Sequence, residues 1–181
     1  MKIFDGLSEV ILTVNGETRT VAVRPQDTLL RTLRETLGYT GAKASCENGD
    51  CGACTILADG IPVKSCIALT VDAADREITT IEGLTEPSES TGSGEPVGSP
   101  LQKAFVEENG FQCGFCTPGQ IMNATALLAR QANPADSQIR EYMESNLCRC
   151  TGYEGIERAV RSAVRSANKS PNKGANKAAA E

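Results

Sequence analysis

The chain has 181 residues, of which 40% are hydrophobic and 23% are charged, proportions that exclude a wholly disordered or fibrous protein. Its formal net charge of -5 offers no basic field for a nucleic acid backbone or an anionic membrane. The absence of histidine excludes Ser-His and Cys-His nucleophiles, histidine-ligated zinc and histidine-ligated haem. The eight cysteines are therefore the residues whose chemistry needs an explanation.

The cellular setting is predicted from the apolar pattern. No stretch approaches eighteen apolar residues, and residues 1–20 lack a continuous apolar segment, so we expect neither a membrane span nor a secretory signal. A cytoplasmic location follows as an expectation. Because the cytosol is reducing, eight cysteines there favour metal or redox chemistry over a disulfide framework.

Residues 1–84 are predicted to form an α+β domain. Alternating apolar positions in Val10–Val14 and Thr18–Val23, joined through Asn15-Gly16, predict a β-hairpin. A helix capped by Asp27 or Thr28 should follow and end at Gly38. Its buried face would carry three leucines at helical spacing, namely Leu30, Leu33 and Leu37.

The same domain should contain three further strands. Residues 55–57 and Ile61–Lys64 flank Asp59-Gly60, which predicts a second hairpin. Residues Glu77–Ile81 alternate in polarity and predict a fifth strand.

The composition changes after residue 84. Residues 85–100 are rich in Ser, Gly, Pro, Thr and Glu and lack an apolar period, which predicts a linker. Residues 101–166 have a helical period, and residues 167–181, which have no apolar face, are predicted to be a disordered tail.

Four short helices are predicted between residues 101 and 166, which suggests a bundle. The apolar positions that define them are Leu101, Ala104 and Phe105; Ile121, Ala124, Thr125 and Leu128; Ile139, Tyr142 and Met143; and Ile156, Val160 and Val164. The third helix should cover Gln138–Leu147. At the start of the second helix, Thr117 as N-cap, Pro118 at the first position and Gln120 at the third predict a capping box.

The first four cysteines have the spacing C-x4-C-x2-C-x11-C: Cys46, Cys51, Cys54 and Cys66. The first three match the loop of plant-type [2Fe-2S] ferredoxins, which take a distant fourth ligand. Gly49 and Gly52 allow the tight wrapping that such a loop needs. Structural zinc is the weaker alternative, because it usually employs short, symmetric cysteine pairs.

The second four cysteines have the spacing C-x2-C-x31-C-x-C: Cys113, Cys116, Cys148 and Cys150. This spacing fits a four-thiolate zinc site as well as an iron-sulfur cluster. A helix beginning beside Cys116 would place free amides near anionic thiolates, which would favour either metal. The spacing alone therefore predicts a metal site without naming the metal.

Three sequence segments together carry a family resemblance: GAKASCENGDCGACTIL (residues 41–57), QCGFCTPGQ (112–120) and NLCRCTGYEGI (146–156). The chain resembles the small iron-sulfur subunit of the xanthine oxidase family of molybdenum hydroxylases over residues 9–166. The resemblance implies an α+β chain with a plant-ferredoxin-like β-grasp domain followed by an all-α four-helix domain, each holding one [2Fe-2S] cluster. The family commonly has Met where this chain has Gln120.

The resemblance also implies roles for individual residues. Cys46, Cys51, Cys54 and Cys66 would hold the cluster nearer the flavin, and Cys113, Cys116, Cys148 and Cys150 the cluster nearer the molybdopterin. Gln112 and Cys150 would lie against the pterin cofactor. The implied partners are a large molybdopterin-binding subunit and a medium FAD-binding subunit.

The function expected from these features is electron transfer in a multi-subunit molybdenum hydroxylase, without bond-making chemistry on this chain. Two alternatives remain at this point: a free two-cluster ferredoxin that shuttles electrons between separate proteins, and a zinc-stabilised interaction module. Metal content and co-purifying partners distinguish all three.

Overall fold

This computed structural model describes residues 6–85 and 98–169, which form a mixed five-stranded sheet followed by a group of helices. The strands are β1 (Ser8–Val14), β2 (Glu17–Val23), β3 (Thr55–Ala58), β4 (Ile61–Lys64) and β5 (Glu77–Thr79). The helices are α1 (Leu29–Arg31), α2 (Pro100–Glu107), α3 (Thr117–Arg130), α4 (Asp136–Met143) and α5 (Glu154–Lys169). Parts of the predicted linker and tail, residues 86–97 and 170–181, lie outside the described residues.

The sheet has the strand order β2-β1-β5-β3-β4, in which only β1 and β5 run parallel. Both predicted hairpins are confirmed: Asn15 and Gly16 have φ angles of 52° and 78°, and Asp59 and Gly60 have φ angles of 52° and 75°. These left-handed turns match the twist of the antiparallel strands that they join. The second hairpin brings the end of β4 back beside the loop that precedes β3.

Helix α1 begins as predicted and then widens. The Thr28 side chain accepts a hydrogen bond from the Arg31 N–H at 3.3 Å, while Asp27 accepts one from the Arg24 N–H at 2.8 Å. The helix continues as a π-helical turn over Thr32–Thr36. It ends at Gly38, whose φ of 80° fits the predicted terminating role.

Several predicted boundaries are wrong by a few residues. Strand β5 ends at Thr79, because a 3-10 turn begins at Ile81. Helix α2 begins at Pro100, where Ser99 caps it in a capping box with Gln102, so the helix takes the last residue of the predicted linker.

The later helices also differ from their predicted limits. Helix α4 covers Asp136–Met143 and does not reach Leu147, because residues 145–147 leave the helix to contact the first half of the chain. Helix α5 runs to Lys169, three residues into the segment predicted as tail.

The predicted capping box of α3 is wrong. Cys116 is the N-cap, Thr117 lies inside the helix, and no side chain caps this terminus. The Gln120 side chain is fully buried and donates instead to the Asn146 carbonyl oxygen at 3.0 Å. A long-range contact has therefore replaced the local one that the sequence suggested.

The described residues contain two main apolar cores, one on the sheet against α1 and one among α2–α5. A small third group joins them, in which Met122 and Ala126 of α3 pack against Leu57 of β3. Helix α3 is consequently buried on two faces, and the sheet and the helices meet along it. No helix in the described part of the chain is long and apolar enough to span a bilayer.

Candidate functional site

The first four cysteines come from a loop and a hairpin in the sheet half. Cys46, Cys51 and Cys54 lie between α1 and β3, and Cys66 follows β4. The loop turns through left-handed residues, with φ of 91° at Gly49 and 73° at Gly52. Cys54 and Cys66 are buried, whereas Cys46 is exposed.

The thiols of this first set influence one another. The Cys51 N–H donates to Cys46 Sγ at 3.4 Å, and, besides burial, the neighbouring Cys54 thiol contributes to the raised pKa of Cys66. Backbone N–H groups, first that of Asn48 and then that of Cys51, lower the pKa of Cys46 to about 6. Burial, followed by the contact with Cys54, raises the pKa of Cys66 to about 12. Inward-facing amides of this kind stabilise a thiolate, the form in which cysteine binds metal.

The second four cysteines come from two segments of the helical half. Cys113 and Cys116 precede α3, and Cys148 and Cys150 lie between α4 and α5. Cys150 Sγ lies 3.6 Å from Cys113 Sγ, and, besides burial, the neighbouring Cys148 thiol contributes to the raised pKa of Cys116. Helices α3 and α4 return the chain over 31 intervening residues and thereby bring the segments together.

Two thiols of the second set have pKa values shifted in opposite directions. Burial raises the pKa of Cys116 to about 12. Burial also acts to raise the pKa of Cys148, but the Thr151 hydroxyl at 3.0 Å and nearby N–H groups outweigh it, and the net pKa is lowered. Thr151 Oγ1 accepts from the Tyr153 N–H, so its own proton is free to point at the sulfur.

Each set provides four sulfur atoms, the number of thiolate ligands that a [2Fe-2S] cluster requires. Two thiolates on one tetrahedral metal ion, about 2.3 Å from each, stand roughly 3.8 Å apart, close to the separation of the Cys113 and Cys150 sulfurs. Among the described residues, no group of three His, Cys, Asp or Glu side chains is arranged to hold one metal ion. Both sets consist of thiolates alone, a donor set that suits an iron-sulfur cluster.

The second set opens onto the surface of the molecule. Cys113, Cys150 and the predicted pterin contact Gln112 are all exposed. Two phenylalanines beside them, Phe111 and Phe115, are 39% and 44% exposed. The structure thus brings Gln112 and the second cysteine set together on one partly apolar face.

A cavity of about 360 Å³ is lined by all four cysteines of the second set and by Cys51 of the first set. The two sets consequently share one boundary region of the fold.

Three residues that the sequence did not single out join the sets directly. The Leu147 N–H donates to the Cys51 carbonyl at 2.8 Å, and Asn146 Nδ2 donates to the Gly52 carbonyl at 2.7 Å. Lys64 Nζ donates to the Ser145 carbonyl at 2.6 Å. Asn146 and Leu147 precede Cys148 in the sequence, but nothing in the pattern indicated that they would contact the first loop.

Family profiles match both halves of the chain. A "2Fe-2S iron-sulfur cluster binding domain" matches residues 12–80, and a "[2Fe-2S] binding domain" matches residues 80–161. These matches support the binding of [2Fe-2S] clusters.

Individual proteins are similar over most of the chain. The small FeS subunit of nicotinate dehydrogenase from Eubacterium barkeri is 46% identical over 150 residues, which cover 83% of this chain and 90% of that subunit. The nicotine 6-hydroxylase small subunit from Paenarthrobacter nicotinovorans is 45% identical over 152 residues, covering 84% and 87%.

Solved structures show the same architecture. The chain superposes on a chain of quinoline 2-oxidoreductase from Pseudomonas putida 86 with a TM-score of 0.82 and 40% identity, covering 91% of this chain and 98% of that one. It also matches the aldehyde oxidoreductase from Desulfovibrio desulfuricans with a TM-score of 0.82 and 37% identity, covering 90% of this chain and only 17% of that longer one.

Proposed function

Because the chain belongs to the small iron-sulfur subunits of the xanthine oxidase family of molybdenum hydroxylases, we propose that it carries electrons from a molybdopterin centre to flavin or another acceptor. The chain is an oxidoreductase subunit, and catalysis needs partner subunits. The observation that carries the proposal is the grouping of the eight cysteines into two sets of four, one in each half of the chain.

The proposed ligands are the cysteines of these two sets. Cys46, Cys51, Cys54 and Cys66 would hold one [2Fe-2S] cluster, and Cys113, Cys116, Cys148 and Cys150 would hold the other. When bound, the clusters supply reversible one-electron redox chemistry. The assignment is supported by the all-thiolate donor sets and by the two matching family profiles.

The residues of this chain would bind the clusters, shield them from water and set their potentials. Cys54 and Cys66 place one side of the first site in the core of the sheet half. Backbone amides around Cys46 and the Thr151 hydroxyl at Cys148 supply hydrogen bonds to sulfur, which are among the factors that tune cluster potential.

The proposed partners are a large molybdopterin-binding subunit and a medium FAD-binding subunit. The exposed face that carries Cys113, Cys150 and Gln112 is suited to the large subunit, and Gln112 and Cys150 are the proposed contacts to the pterin. The first cysteine set would lie nearer the flavin. We further propose a cytoplasmic location, where eight thiols stay reduced and available for iron.

The fold assignment is part of the same proposal. The five-stranded sheet with its cysteine loop corresponds to a plant-ferredoxin-like β-grasp domain over residues 1–84. Helices α2–α5 correspond to an all-α four-helix domain over residues 101–166, after a linker over residues 85–100. Matches to the solved oxidoreductase chains support both halves.

The experiment is a gentle affinity purification of the full chain from its host, with iron, acid-labile sulfide, zinc and molybdenum measured on the recovered material. The proposal predicts about four irons per copy of this chain, together with molybdenum on a larger partner. Recovery of the iron-loaded chain without partners would identify a free shuttle ferredoxin instead. Zinc in place of iron would overturn the redox function altogether.

A further inference from the structure

Three consecutive residues immediately before Cys148 contact the sheet half of the chain, and we name them the joint segment: Ser145, Asn146 and Leu147. Lys64, Gly52 and Cys51 are their partners, at distances of 2.6, 2.7 and 2.8 Å. These hydrogen bonds connect residues more than 80 positions apart in the sequence. The joint segment thus connects the half that carries one set to the half that carries the other.

Asn146 is the centre of this segment. Its side chain is fully buried, with Nδ2 donating to the Gly52 carbonyl and Oδ1 accepting from Ser145 Oγ at 3.1 Å. Its own carbonyl accepts from Tyr153 Oη at 3.0 Å, and that hydroxyl in turn accepts from the Cys148 N–H at 2.8 Å. One buried side chain and its peptide therefore fix the backbone beside a cysteine of each set.

Two glycines let the halves approach this closely. A Cβ at Gly119 of α3 would lie 2.3 Å from the Gly52 carbonyl oxygen and 2.9 Å from Asn146 Nδ2. A Cβ at Gly52 would lie 2.5 Å from Asn146 Nδ2. Real Cβ contacts are longer than these distances, so the contact exists only because both positions lack a side chain.

From these contacts we infer that Asn146 is a positioning residue for electron exchange between the two cysteine sets. It holds Leu147 against Cys51, so that a single peptide hydrogen bond links the backbone of Cys51 to the residue preceding Cys148. The exchange itself moves one electron, oxidising one centre and reducing the other, with no bond made or broken. The inference rests on the proposed function, because it requires a redox centre in each set.

The test compares three variants of the full chain in its native complex. Asn146→Ala removes the central contact, and Gly119→Ala drives a Cβ between the halves while leaving every hydrogen-bonding group of the joint segment in place. Thr125→Val is the control, because the Thr125 hydroxyl hydrogen-bonds to the Ile121 carbonyl within α3 and Val has nearly the same shape.

The measurements are iron content and the magnetic splitting between the two centres, recorded by electron paramagnetic resonance after full reduction with dithionite. Dipolar splitting falls with the cube of the distance, so a purely structural role that kept the sets in place would not change it. We expect loss of the splitting in Asn146→Ala and Gly119→Ala at full iron content, and an unchanged spectrum in Thr125→Val.

Unchanged splitting in an iron-loaded Asn146→Ala or Gly119→Ala complex would overturn the inference. If Asn146→Ala fails to retain iron, Gly119→Ala decides the outcome, since it removes no polar group. Failure of the proposed function is seen separately, because the unmutated complex would then lack two [2Fe-2S] signals before any variant is made.

Discussion

The two cysteine sets contain the same short motif in different surroundings. Both have the sequence Cys-Gly-x-Cys, at residues 51–54 and 113–116, and both glycines are left-handed, with φ of 73° at Gly52 and 78° at Gly114. A Cβ at Gly52 would collide with Asn146 and with Lys64, whereas a Cβ at Gly114 would meet no atom within 4 Å. The motif determines the local backbone conformation, and the tertiary structure decides whether that backbone packs against the joint segment or lies on the surface.

The two cysteine sets also differ in the burial of their cysteines and in the groups that hydrogen-bond to sulfur. In the first set, Cys54 and Cys66 are buried and backbone amides point at Cys46. In the second set, Cys113 and Cys150 are exposed. A side-chain hydroxyl, that of Thr151, reaches Cys148 there. The first site is partly buried in the core of the sheet half, while the second presents two exposed cysteines on a face that a partner would cover.

The largest predicted effect comes from removing one ligand of either set. We expect Cys148→Ser or Cys113→Ser to abolish turnover of the complex and to lower iron from about four to about two per chain. Cys54→Ser should remove the other two irons, which a comparison of the residual spectra would reveal. Iron analysis, activity assays and size-exclusion chromatography on each complex provide the measurement. Normal turnover in Cys148→Ser or Cys113→Ser would contradict the assignment of the second set.

The next largest predicted effect is the difference in unfolding free energy between substitutions at Gly52 and at Gly114. Gly52→Ala places a side chain on a left-handed residue and also crowds the joint segment. Together these effects should lower the free energy of unfolding by about 4 kcal/mol. Gly114→Ala has only the backbone strain, about 1 kcal/mol. Denaturant unfolding of the two full-length variants measures the contrast. Equal losses of unfolding free energy in the two variants would mean that packing of Gly52 against the joint segment adds nothing to the cost of strain in the local turn.

Thr151 provides a smaller and more selective change. Thr151→Val removes the hydroxyl that contacts Cys148 and should make the potential of the second centre roughly 40 mV more negative, equivalent to about 1 kcal/mol. The first centre should not change. A redox titration followed by electron paramagnetic resonance measures both potentials. Thr125→Val is the matched control, because the Thr125 hydroxyl hydrogen-bonds to Ile121 within α3, and a shift of equal size there would refute the assignment.

The smallest effect is expected at Gln120. Its Oε1 is buried and has no hydrogen-bond partner among the described residues, while the Asn146 carbonyl that accepts from its Nε2 also accepts from Tyr153. Gln120→Met should therefore change the free energy of unfolding by less than about 1 kcal/mol. Thermal unfolding of the full chain checks this value. A large loss of stability would show that the buried Gln120 amide stabilises the joint segment.

The sequence predicted the features that depend on neighbouring residues. Turn chemistry at Asn15-Gly16 and Asp59-Gly60 placed both hairpins, since few residues adopt left-handed angles without strain. The helical period located α2–α5, although their ends were displaced by several residues. The cysteine spacing and its flanking residues indicated the family, which the comparisons then established.

Only the tertiary structure decided the contacts between the halves. The pattern of α3 showed one apolar stripe, yet Met122 and Ala126 are buried on a second face against β3. Gln120 resembled a local cap but reaches Asn146, and α4 stops early so that Asn146 can reach Gly52. Turns and helix faces are determined by residues a few positions apart, whereas these contacts join residues up to 94 positions apart and exist only once both halves have folded and packed.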